Sequence, residues 1–117
     1  MIKFFQIPNC STCKKAAQFL TDNGVSYEPI NLKEHTPTTG EFTQIIQQTG
    51  VDIDKLFNRQ GTKFRELNLK DRLAHLSHAE KLDLLASDGM LVKRPLAVND
   101  GKITLGFKEA DYRDTWL

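Results

Sequence analysis

The chain has 117 residues, the right size for one domain built on one core. Hydrophobic residues make up 39% and charged residues 26%, a globular balance that excludes a disordered chain. A net charge of +1, with both signs interspersed, gives none of the basic footprint that grips nucleic acid through its phosphates, so direct nucleic-acid binding is not expected. No apolar run approaches the roughly 18 residues of a membrane span, and the opening "MIKFFQIPNC" lacks a signal peptide's apolar stretch and cleavage site. A single cytoplasmic domain over residues 1–117, without membrane contact and acting as a monomer, is the expectation.

In chain order, "IKFFQI" is a short apolar and aromatic run ended by Pro8, which reads as a buried strand. Cys13, Ala16, Ala17 and Leu20 then fall at i, i+3, i+4 and i+7, one face of a helix that Gly24 is placed to close. "VSYEPINL" is strand-like, and Pro29 within it predicts an edge strand or a bulge. Strand, helix and strand in so short a span form a βαβ unit with parallel strands. A helical middle section follows. Thr38 and Glu41 have capping-box spacing ahead of "FTQIIQQTG", where Gly50 can end the helix. "VDIDKLFN" suggests a shorter helical turn, and Ser77 with Glu80 opens a further helix, "KLDLLASDG", that stops at Gly89. "LVKRPLAV" and "KITLGF" are β-rich runs around the hairpin signal "NDGK", and "KEADYRDTWL" reads as a last helix. The order is βαβ, a helical insertion, then ββα. That predicts an α/β fold with one mixed sheet, and a thioredoxin-like domain has this plan.

Both cysteines lie in "IPNCSTCKKA", three residues apart at the first strand-to-helix junction. Two cysteines are too few for a disulfide-stapled scaffold, and a close pair beside a βαβ pattern reads as redox-active. A helix starting near Ser11 puts Cys10 at its N-terminus, where the free backbone N–H groups of residues such as Thr12 and Cys13 and the positive end of the helix dipole favour a thiolate. Such placement lowers a cysteine pKa from about 8.5 to roughly 3.5–7.5. Cys13 belongs to the apolar face and should be the more buried thiol, so Cys10 attacks and Cys13 resolves. Two other readings stand beside this one. The pair could be inert buried thiols, or part of a metal site. A tetrahedral structural site needs four ligands, and His35, His75 and His78 have no matching spacing and read as surface residues.

Lys14 and Lys15 run against the dipole of a first helical turn, which an anion nearby would offset. Lys14, one turn from Cys10, is the better candidate for that role. Ser11 and Thr12 complete the loop that would steady a thiolate or anion. Farther on, Arg94 precedes Pro95 in "KRPLAV" and is held toward extended geometry. In a thioredoxin-like plan that segment faces the cysteine loop, where a guanidinium fork can bind an anion.

Taken together, "PNCSTCKKA", "FRELNL" and "GMLVKRPLAV" followed by "GF" resemble the arsenate reductase/Spx family of thioredoxin-like proteins over nearly the whole chain. The resemblance implies a cis Arg94–Pro95 peptide and a helical insertion between the halves of the sheet. It matches Cys10 to the family's nucleophile, Arg94 to an oxyanion-contacting arginine, and Cys13 to the second cysteine of the Spx-like branch. Gln6 stands where the reductases tend to have an activating histidine. Asn58 stands in place of an oxyanion-binding arginine, with Arg59 one step out of register, and Phe107 in place of a third arginine, with Lys108 adjacent. Losing guanidinium forks should weaken arsenate binding by about 1.5–3 kcal/mol for each charged hydrogen bond.

Two functions follow from the resemblance. One is a thiol–disulfide oxidoreductase or arsenate-reductase-like enzyme. It would be reset by glutathione, glutaredoxin or a thioredoxin-type protein, and would need no metal or organic cofactor. The other is a redox-sensing, Spx-like transcriptional adaptor that docks on RNA polymerase, with Gly50 near the family's polymerase-contacting glycine. Gly50 also reads simply as a helix terminator, and the ending "DTWL", without a basic extension, counts against the adaptor.

Overall fold

A computed structural model describes all 117 residues, Met1 to Leu117. The first strand, β1 (Ile2–Gln6), sends Ile2 and Phe4 to one side of the sheet and Phe5 to the other, the period-two alternation of a pleated strand. Helix α1 (Ser11–Asp22) buries Cys13, Ala16, Phe19 and Leu20. Asn23 caps it, its side-chain amide donating to the Phe19 carbonyl at 2.8 Å, and Gly24 follows in the left-handed region at φ +69°. Strand β2 (Tyr27–Asn31) runs parallel to β1, with Pro29 opposite Phe4. The sheet order is β2-β1-β3-β4, so β2 is an edge strand, the location where a proline without an N–H is tolerated.

The other half of the sheet is antiparallel. Strand β3 (Leu96–Asn99) pairs with β1, and β4 (Lys102–Leu105) pairs with β3. Their connection, Asp100–Gly101, has positive φ at both residues, 45° and 82°, as a two-residue hairpin turn requires. The expected strand over "LVKRPLAV" is shorter than the pattern suggests and begins only at Leu96. Val92 instead makes an isolated bridge to Phe57, with the Asn58 N–H donating to the Leu91 carbonyl and the Lys93 N–H to the Leu56 carbonyl, each at 2.7 Å. The Arg94–Pro95 peptide is cis.

Between the halves lie α2 (Thr39–Thr49), a 3₁₀ turn (Ile53–Leu56), the short helices α3 (Thr62–Glu66) and α4 (Leu69–Arg72), a second 3₁₀ turn (Leu73–His75) and α5 (His78–Ser87). Both capping boxes form: Thr38 and Glu41 exchange bonds at 3.1 and 3.2 Å, Ser77 and Glu80 at 3.1 and 2.9 Å. Gly50 ends α2 at φ +71°, its N–H donating to the Ile46 carbonyl at 2.8 Å. The next helix, α5, ends at Ser87 rather than at Gly89. Asp88 turns extended and its carboxylate accepts the Met90 N–H at 2.8 Å, which starts a new 3₁₀ turn over Gly89–Leu91. The last helix is α6 (Glu109–Trp116).

Two cores sandwich the sheet. Ile2, Phe4 and Ala97 meet α1 and Tyr112 of α6 on one face; Phe5, Leu96 and Val98 meet Leu32 and the helical insertion on the other. Gly89 is packed so closely that a Cβ there would overlap the backbone carbonyl of Leu32, just beyond β2. Gly89→Ala must therefore displace one of two backbones, and we expect a loss of about 1–3 kcal/mol. Urea unfolding reads this as a lower midpoint at unchanged slope; an unchanged midpoint would contradict the contact.

Candidate functional site

The cysteine loop leaves the sheet at the C-terminal end of β1. Asn9 takes a left-handed conformation, φ +61°, and Cys10 becomes the N-cap of α1 with extended backbone. A cap residue normally offers an oxygen to the first-turn amides. Here the acceptor is sulfur: the Cys13 N–H donates to Cys10 Sγ at 3.2 Å, while the Lys14 N–H donates to the Cys10 carbonyl at 3.1 Å. Thr12, expected among the donors, does not donate to the sulfur. Ser11 and Thr12 are both exposed, and the Cys13 amide serves alone.

Cys13 is 1% exposed and Cys10 is partly exposed, the order that the apolar face predicts. Their Cα atoms are 5.2 Å apart and their sulfurs are in disulfide contact. One helical turn thus supplies an accessible sulfur, a donor aimed at it and a buried partner.

Lys14 and Lys15 are exposed. Lys14 borders a small cavity of about 240 Å³ beside Cys13, whose other walls include Gln6, Asn9 and Asn31. Gln6, at the position where the resemblance gives the reductases a histidine, is one of three carboxamides on that lining.

Arg94 lies at the same end of the sheet, because the pairing of Phe5 with Leu96 carries the start of β3 toward the end of β1. Its guanidinium turns toward its own loop. Nη1 donates to the carbonyls of Met90 and Val92, both at 3.4 Å, and Nε is buried without a partner. Burial holds this group below its ordinary range. Arg94 borders a separate groove of about 500 Å³ that neither cysteine lines. The structure therefore groups Cys10, Cys13 and Lys14 in one turn, and puts Arg94 at the same end of the sheet but on a separate groove.

The substituted positions have definite surroundings. Asn58 lines the Arg94 groove, and Arg59 is exposed and outside it. Phe107 packs its ring 4.9 Å from Tyr112 and 5.8 Å from Phe19 between centroids, so it joins the α1/α6 core. Lys108 is exposed and precedes α6. His35, His75 and His78 are exposed. Gln60, Lys63, Glu66 and Asp88 also line the groove, and sequence reasoning missed them. Gln60, Lys63 and Glu66 come from a segment without apolar periodicity, and Asp88 comes from the end of α5, far away in sequence.

A four-stranded mixed sheet, a C-x-x-C at the N-terminus of its first helix and a cis-proline at the neighbouring strand define a thioredoxin-like protein of the arsenate-reductase type. The ArsC family profile matches residues 5–115, and the chain belongs to that family. It is 44% identical to the uncharacterized protein YusI of Bacillus subtilis, over 98% of each chain. The solution structure of SACOL0876 from Staphylococcus aureus COL is 66% identical and superposes with a TM-score of 0.94, covering 100% of this chain and 99% of that one. The global transcriptional regulator Spx of Lactiplantibacillus plantarum is 24% identical over 97% of this chain and 84% of its own. No helix is long and apolar enough to cross a membrane.

Proposed function

We propose that the protein is a thiol–disulfide oxidoreductase with Cys10 as nucleophile and Cys13 as resolving thiol. The observation that carries this reading is the Cys13 N–H donating to Cys10 Sγ at 3.2 Å, with the two sulfurs in contact. In the reduced protein that donor and the start of α1 favour the Cys10 thiolate. The thiolate attacks one sulfur of a substrate disulfide, so a Cys10–substrate disulfide forms, the substrate's own S–S bond breaks and the second substrate sulfur leaves as a thiolate. Cys13 then loses its proton to solvent and attacks Cys10 Sγ. The internal disulfide forms, and the first substrate sulfur leaves as thiolate. Two electrons have passed to the substrate, and two external thiols of the glutathione, glutaredoxin or thioredoxin kind return them. In this reading Lys14, one turn along from Cys10, is the cation that favours the thiolate, and Arg94 is a second cation whose guanidinium would have to turn from the Met90 and Val92 carbonyls to serve.

Arsenate reduction fits less well. A tetrahedral oxyanion is held best by two or three guanidinium forks, and Asn58 and the packed Phe107 cannot provide them. The test is turnover of a small disulfide and of arsenate side by side, with a thiol donor and the purified protein. Disulfide turnover is expected; arsenate turnover without it would overturn the reading.

The similarity to Spx supports a second reading, a redox-controlled adaptor that contacts RNA polymerase. Gly50 is exposed, and a Cβ there would meet nothing within 4 Å, so the α2 terminus is accessible to a partner. Its left-handed backbone already accounts for a glycine at that position. Co-purification with RNA polymerase from cells under reducing and oxidising conditions separates the two readings, and absence of the complex in both removes the adaptor.

A further inference from the structure

Resolution of a mixed disulfide needs a second thiolate. Cys13 must lose its proton before it can attack Cys10 Sγ, and a thiol only 1% exposed resists ionisation unless its charge is met inside the protein. The amide donor of the first helical turn does not meet it, because that donor is directed at Cys10 Sγ.

What lies beside Cys13 instead is the cavity of about 240 Å³ lined by Gln6, Asn9, Asn31 and Lys14. Gln6 and Asn31 are register partners at the ends of β1 and β2. Gln6 follows Ile2 and Phe4 by period two on the face that packs against α1, so a carboxamide breaks the apolar row beside this thiol. Asn31 is oriented by its own loop: its Oδ1 accepts the Lys33 N–H at 2.9 Å, so Nδ2 is the end left to donate. Apart from Cys13 itself, Lys14 is the one titratable side chain on the lining, and no carboxylate borders it. Glu34 and His35 line a different groove beyond Asn31, and the Arg94 guanidinium is held on the Met90 and Val92 carbonyls. The cavity thus offers a cation and N–H donors to a sulfur that must become an anion. Its volume admits several waters, and the carboxamides give them partners.

We propose that this cavity stabilises the Cys13 thiolate during resolution, with Lys14 as the cation, Gln6 and Asn31 as N–H donors, and water as the proton acceptor. This rests on the oxidoreductase reading and assigns the machinery of its second step. The Cys13 proton passes to water in the cavity and on to solvent. The thiolate attacks Cys10 Sγ, the Cys10–substrate S–S bond breaks, and its electron pair leaves on the substrate sulfur. No carboxylate or imidazole base is required. Lys14 serves the two sulfurs in turn, Cys10 before the first attack and Cys13 after it.

The test is rapid mixing of the reduced full chain with dithiobis(nitrobenzoate), which releases one coloured thiolate when Cys10 attacks and a second when Cys13 resolves. The second phase, independent of reagent concentration, reads resolution alone. At neutral pH, Lys14→Gln and Gln6→Leu should each slow that phase roughly two- to fourfold and raise its pH midpoint by about 0.5–1. The plateau at high pH should be unchanged or higher, because a more basic thiolate is the stronger nucleophile; damage to the fold would lower it. Lys14→Arg, which keeps the cation, should restore the wild-type midpoint. An unshifted midpoint in either variant, a plateau that falls along with the neutral rate, or failed rescue by Lys14→Arg would each overturn the proposal. A first phase with no concentration-independent second phase in wild type would sink the proposal alone, and absence of the first phase would sink the oxidoreductase reading itself.

Discussion

Cys10→Ser is expected to abolish disulfide turnover, with a loss on the order of 10³-fold or more, as removal of a covalent nucleophile does. The partly exposed sulfur is the one that receives the Cys13 amide, and no other thiol on the chain can replace it, because Cys13 is buried. Cys13→Ser has a different signature. The first attack survives, since the residue-13 backbone N–H is retained, but the mixed disulfide can no longer be resolved from within. Intact-mass measurement after a single round of reaction should find the substrate fragment on Cys13→Ser, an internal disulfide in wild type and neither in Cys10→Ser. Equal rates for wild type and Cys10→Ser would end the reading. A fragment found on Cys13 instead would reverse the two roles.

Phe4→Ala carries the largest expected cost to stability. Phe4 is fully buried on β1, between β2 and β3 in the sheet, and its ring lies 5.2 Å from that of Tyr27. It belongs to the core that includes Ala16 and Leu20 of α1, the helix whose first turn holds both cysteines. Truncation leaves a cavity beneath that helix and should cost about 3–5 kcal/mol. Against a typical total of roughly 5–15 kcal/mol, that is a large share of the fold's stability. Denaturant unfolding followed by far-UV circular dichroism measures it. A loss below about 1 kcal/mol would mean that the site's platform does not depend on this core.

Much of this architecture was legible in the residues themselves. Short-range signals fared best: two capping boxes, the left-handed Gly50 and the "NDGK" turn are each decided by a few adjacent residues, and each forms as expected. Pro29 pointed to an edge strand or a bulge because its missing N–H cannot join a central ladder, and β2 is an edge strand. The pattern failed where tertiary contacts overrode it. Apolar Leu91 and Val92 suggested a longer strand, but the Leu91 carbonyl accepts from Asn58 and the Lys93 N–H donates to Leu56, both in the insertion, so β3 starts later. At the site, the order of burial of the two cysteines followed from helical periodicity. The donor set did not: only the Cys13 amide has the geometry, and which of several free amides turns to a sulfur depends on a loop conformation that no periodicity encodes. The groove was least legible of all, being assembled from charged residues on a short helix and on a loop distant in sequence.

The account depends on Cys10 being ionised at neutral pH by the start of α1. The most direct measurement is the pH dependence of alkylation rate for reduced Cys13→Ser, in which Cys10 is the only thiol and the residue-13 amide is kept. A midpoint below about 7.5 is predicted, within the range of helix-N-terminal cysteines, and a midpoint near the ordinary free-thiol value of about 8.5 would contradict it.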